Sequence, residues 1–111
     1  MAKKFLEKFV LNIKMKFIFH EDAERELNEA IDYYNRCKEN LGFSFAEEIY
    51  TTIKRILLFP EAFVKLSKNT RRCIANKFPF GVIYQIKSDS IYIIAISHLH
   101  KKPYYWQKRN K

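Results

Sequence analysis

An α+β fold is predicted by three features of this 111-residue chain. Apolar residues recur at intervals of three and four between Glu21 and Phe59, the period of amphipathic helices. Beyond Leu66 the pattern turns β-branched and aromatic, with short continuous apolar runs. Apart from one leading strand the two regimes do not interleave, which segregates the helices from an antiparallel sheet. The expected order is a strand, an antiparallel helical hairpin, then a three-stranded antiparallel sheet joined by the first strand.

Each element has local support. "MKFIFH", residues 15 to 20, alternates as a short strand does. Ala23, Leu27, Ala30, Ile31 and Tyr34 then form a helical stripe, and Glu21, Asp22 and Glu24 place carboxylates at the positive end of the helix dipole. Gly42 is expected to stop that helix in a left-handed conformation. Ser44 and Glu47 have capping-box spacing for the next helix, which puts Phe45, Ile49, Ile53, Ile56 and Leu57 on one face and ends near Phe59-Pro60. "RRCIANKF", "FGVIYQIK" and "SIYIIAISH" read as strands, the last two joined by a "KSDS" turn. Ile91 to Ile96 is apolar on both faces and reads as a central strand.

Ahead of this unit, residues 1–14 form an N-terminal extension in which Phe5, Leu6, Phe9, Val10 and Ile13 fit one face of an amphipathic helix. Met15 is an alternative start, so the domain proper is expected over residues 15–111. The hydrophobic content is 48% with only two glycines, which suits one core and leaves no length for a second. No apolar run is long enough to cross a membrane, and the N-terminus lacks a signal-peptide cleavage site. Cys37 and Cys73 are not at metal-site spacing, and two buried thiols in a reducing cytoplasm are expected.

The net charge of +9 is unevenly spread. Residues 20 to 61 carry ten acids against five bases, whereas residues 62 to 111 carry eleven bases against the single acid Asp89. A domain cationic in one half suits an anionic partner: nucleic acid, a ribosomal surface or an acidic protein. The basic half holds no phosphate-binding glycine loop, nucleophile elbow or paired carboxylates, which excludes kinase, hydrolase and glycosidase chemistry.

Candidate functional residues concentrate at two places. Arg71 and Arg72 open a strand, and alternation sends one guanidinium to each face, where one can meet an anion bidentately. The tail "SHLHKKPYYWQKR" interleaves cations with aromatics. His98 and His100 share a face in an extended strand but lack a third ligand, so no metal site is expected; His98 suits general acid–base chemistry. Trp106 and one tyrosine are expected to pack on the sheet, leaving the other tyrosine and Lys101, Lys102 and Arg109 to contact a target.

In the order and spacing of "FHEDAERELNEAIDYYNRCKENLGFSFAEEI", "FP", "RRCIANKFPFGVIYQI", "IYIIAISH" and "KKPYYWQKR", the chain resembles the RelE/ParE superfamily of bacterial type II toxins, nearest its ParE-like, plasmid-stabilisation branch. The resemblance implies the fold already read and a cognate antitoxin that wraps the toxin. It also implies one of two activities. ParE-like members poison DNA gyrase, for which Arg71, Arg72, Lys101, Lys102, Tyr104 and Arg109 would form the target-binding surface. RelE-like members cleave mRNA on the ribosome without a metal, for which Arg72, His98 and Tyr105 would be catalytic. Lys65 and Lys68 alone correspond to the basic-loop lysines of those nucleases. Neither activity implies a cofactor.

Overall fold

The computed structural model describes residues 15–109, so the amphipathic stripe read in residues 1–14 lies outside the described residues. The elements are β1 (Lys16–Phe19), α1 (Glu21–Cys37), α2 (Leu41–Leu58), β2 (Val64–Ser67), β3 (Thr70–Ile74), β4 (Phe80–Ile86) and β5 (Ser90–His98), closed by a 3-10 turn at Gln107–Arg109. They form one five-stranded sheet in the order β1-β5-β4-β3-β2, with β1 parallel to β5 and the other pairs antiparallel.

Five strands replace the three plus a leading strand that were expected. The addition is β2, an edge strand of four residues whose side chains are exposed or half-buried. Its pairing with β3 is broken by a bulge between Lys65 and Ser67. So short and irregular a strand has no alternation to display, and its β structure comes from pairing with β3.

Between the helices, Gly42 is not the stop: α1 ends at Cys37 with Lys38 extended at φ −160 and ψ 138. Asn40 takes the left-handed conformation with φ 66, as asparagine tolerates, and α2 begins at the next residue. Ser44 and Glu47 therefore lie inside α2 and form no capping box. Gly42 is used for close approach instead. Its N–H donates to Asn35 Oδ1 at 2.8 Å, and a Cβ there would come within 2.6 Å of Asn35 Cγ and run into the Ile31 carbonyl. His20 caps α1, its ring nitrogen accepting from the Asp22 N–H at 2.9 Å.

One face of the sheet is sealed by the two helices. Ala23, Leu27 and Ala30 of α1 and Phe45, Ile49, Ile53, Ile56 and Leu57 of α2 are buried against Val82, Tyr84, Ile91, Ile93 and Ile96. The opposite face carries a smaller cluster in which Ile83, Ile94 and Ala95 lie under Trp106, itself 3% exposed. A register shift in the β4–β5 ladder leaves Ile94 as the extra residue between the Tyr84–Ile93 and Ile83–Ala95 pairs. That is why the Ile91–Ile96 run is apolar throughout: it feeds both clusters. Of the two thiols, Cys73 is buried but Cys37 is exposed at the end of α1, contrary to the expectation for both.

Candidate functional site

β5 outlasts its neighbour β1, which pairs only as far as Ile93. The backbone groups beyond that point would be left bare at a buried edge, an expensive arrangement. Glu26 of α1 resolves it. Its carboxylate accepts from the Ile96 N–H at 3.0 Å, from the Tyr105 hydroxyl at 2.7 Å and from both terminal nitrogens of Arg109 at 2.9 and 3.1 Å. Arg109 also donates to the Ile94 carbonyl at 3.1 Å. The tail thus crosses the sheet, plants Trp106 on it, and is latched round the β5 edge to a helix. Glu26 and Arg109 side chains are 7% and 12% exposed, so this is a buried, doubly hydrogen-bonded ion pair, with Asp22 Oδ2 3.6 Å from Arg109 Nε.

The latch uses two residues that the sequence had offered as functional. Burial pushes the Tyr105 phenol up to about 12, with Glu26 adding to the rise and Ser97 and Arg109 opposing it. For Arg109, burial lowers the affinity for its proton, but Glu26 and Asp22 more than offset this and the value is raised. Arg71 is likewise committed: it lies on the helix-facing side and donates to the carbonyls of Glu61 and Phe63 at 3.0 and 2.9 Å.

Arg72 points the other way, as alternation requires. With His98, Lys101, Lys102 and Tyr104 it lines a cleft of about 150 Å³ whose floor and walls include Leu66, Ile83 and Trp106. Five of the sequence-predicted residues are therefore brought together, and the cleft holds no acid. Lys102 and Tyr104 are exposed, the latter in the left-handed conformation with φ 62 and its ring 5.4 Å from that of Trp106. Lys101 lies 4.7 Å over the Tyr105 ring. Lys65 and Lys68 are exposed in β2 and its turn, outside the cleft lining.

His98 stands on the ridge between this cleft and a second, more open groove lined by Tyr33, Tyr34, Phe80 and Glu29. Its Nδ1 accepts from the His100 N–H at 3.1 Å, and its ring lies edge-on to Phe80 at 5.1 Å. In the neutral imidazole that bond places the proton on Nε2, which is then a donor. Acting as a general base there would require surrendering the bond to His100. Among the described residues no group of three His, Cys, Asp or Glu side chains is gathered to hold a metal.

Glu26 was not singled out from the sequence. The signal was present: it sits three residues after Ala23 and four before Ala30, an acid on the buried stripe of an amphipathic helix.

The described residues form a small basic α+β domain with an acid-free cationic cleft. The family is identified by comparison: residues 17–103 match the model of the ParE toxin of type II toxin–antitoxin systems, parDE. The chain belongs to that family, and is a toxin component of a type II system. Among solved structures it is similar to one described as the chromosomal ParDE TA system from P. aeruginosa, with a TM-score of 0.69 at 15% identity. That match covers 80% of this chain and all of the other. No curated protein matched the sequence significantly.

Proposed function

We propose that the chain, held silent by a cognate antitoxin, poisons DNA gyrase by binding it, with the exposed cations of the Arg72 cleft and the adjoining tail as the contact surface. The carrying observation is that the cleft gathers Arg72, Lys101, Lys102 and Tyr104 without a poised proton-transfer pair. The Tyr105 hydroxyl is spent on Glu26 and is hard to ionise, and the accepting nitrogen of His98 is already occupied by the His100 N–H. Ribonuclease chemistry asks for one group to remove the 2′-hydroxyl proton and another to supply the leaving oxygen. No group stands ready as the base here, whereas a binding toxin needs only surface and charge.

The acting unit in this reading is residues 15–111, with residues 1–14 an extension and Met15 an alternative start. Its place of action is the cytoplasm, where gyrase and the antitoxin are met. Among the described residues no helix is long and apolar enough to cross a membrane. The test is induction in a bacterial host with and without the neighbouring antitoxin gene, reading plasmid supercoiling and RNA integrity from the same cells. Relaxed or cleaved DNA with intact RNA is expected. Codon-phased mRNA cleavage that vanishes in His98→Ala would establish the ribosome-dependent ribonuclease, which shares Arg72 and His98, in its place.

A further inference from the structure

Arg72 is half-buried in the cleft, and part of its guanidinium is left unanswered among the described residues. Its Nε is buried and makes no hydrogen bond to any described residue. A buried donor without an acceptor is costly, because it has given up its water and gains nothing until an acceptor arrives. The stem is placed with care: it lies across Gly81, where a Cβ would come within 3.0 Å of Arg72 Cγ and Cδ. Glycine at that point of β4 leaves the strand beneath the arginine flat, so the guanidinium reaches the cleft.

The surroundings say which anion. Beside Arg72, Ser97, His98, Tyr104 and the two lysines, the lining is apolar: Leu66, Ile83, Leu99, Pro103 and Trp106. On the same face, Val64 opposite Arg72 is 56% exposed, Ile74 is 45% and Leu99 is 41%. A run of nucleic-acid phosphates would set hydrated, charged groups against these side chains. The aromatic ring nearest the mouth is a poor stacking platform as well, since Tyr104 leans on Trp106 and its hydroxyl reaches the Leu66 carbonyl at 3.4 Å. At about 150 Å³ the cleft is smaller than the roughly 300–1,000 Å³ usual for cofactors and metabolites, and fits one side chain.

We infer that the cleft is a docking site for an acidic side chain flanked by apolar ones on a partner protein, its carboxylate paired with Arg72 and its neighbours resting on Val64, Ile74 and Leu99. Lys101 and Lys102 at the rim draw the acid in, while the half-buried Arg72 supplies the directional, two-pronged contact. The inference rests on reading this face as a protein-binding surface. Its test uses neither gyrase nor antitoxin, so the two readings fail separately.

The experiment is an NMR titration of the ¹⁵N-labelled full chain, following the Arg72 Nε–H and Trp106 indole signals. The probes are acetyl-Ile-Glu-Leu-amide, its Gln analogue, and the dinucleotide thymidylyl-thymidine. The Glu peptide should move both signals saturably, and the Gln analogue should bind at least about tenfold more weakly, the scale of one charge-assisted pair. Arg72→Lys should lose at least about tenfold for the Glu peptide, because a point charge does not replace the fork. Should that variant fail to fold, the Glu and Gln peptides on the unaltered chain decide the matter alone. Equal binding of the two peptides, tighter binding of the dinucleotide, or no movement of the Arg72 signal would overturn the inference.

Discussion

Glu26 illustrates how a single carboxylate on the wrong side of a helix can organise a tail. It serves a strand N–H, a phenol and a guanidinium at once. Removing it leaves the enclosed Arg109 with only the longer contact to Asp22 at 3.6 Å, so Glu26→Ala should cost roughly 3 kcal/mol. For a domain of this size that lowers Tm by roughly 12–24 °C. Glu26→Gln, which keeps an acceptor, should fall between; a Tm within two or three degrees (about half a kcal/mol) of the unaltered protein for Glu26→Ala would refute the latch. Tyr105 and Tyr84 give a pH signature. Both phenols are raised to about 12 by burial, Tyr84 against the opposing charge of Arg71, and Tyr84 donates to the Pro60 carbonyl at 2.6 Å. The folded state thus favours the neutral phenol. Its contribution is complete below the ordinary value of 10 and is lost as pH rises from there toward 12. Thermal melts should be insensitive to these tyrosines up to pH 9 and fall steeply above pH 10, less so in Tyr105→Phe. A melting curve equally steep for that variant would count against the assignment.

At the scale of elements, the helical hairpin was legible because amphipathic periodicity reports burial directly, and each stripe residue expected in α2 is buried. The turn between the helices was misread for a physical reason. Asparagine and glycine both tolerate positive φ, and the sequence "ENLG" offers each within two residues. Only packing decides that Asn40 bends and Gly42 touches. Gly42→Ala separates the two roles. If glycine served only as a flexible stop inside a helix, alanine would stabilise α2. With Asn35 and the Ile31 carbonyl against it, overpacking should instead cost about 1–3 kcal/mol, read as a lower urea midpoint at unchanged slope. β2 was illegible because a four-residue edge strand with a bulge owes its conformation to a partner.

Across the whole molecule, the charge asymmetry seen in the sequence becomes a division between acidic helices and a cationic sheet face with its tail. Gathering on that face was foreseeable for Arg72, Lys101 and Lys102, since alternation and a short tail allow little else. That Tyr105 and Arg109 are withdrawn from it was not, because no local pattern links them to an acid more than seventy residues away. The division affects how the tail is tested. Truncation before Pro103 would remove Trp106 and Arg109 and unseat the sheet edge, confusing loss of fold with loss of contact. Charge reversal of the exposed pair, Lys101→Glu with Lys102→Glu, removes no hydrogen bond of the latch and loses only the contact of Lys101 over the Tyr105 ring. It should weaken toxicity by tenfold or more while Tm changes little, and salt should weaken the unaltered toxin in parallel. The measurement that bears most directly on the central claim is supercoiling by purified DNA gyrase in the presence of the purified chain. The binding-toxin account predicts inhibition that titrates with toxin concentration, survives in His98→Ala, is strongly reduced in the Lys101/Lys102 double reversal, and is relieved by the antitoxin. Unimpaired supercoiling at excess toxin, with ribosome-bound mRNA cut by the same preparation, would contradict it.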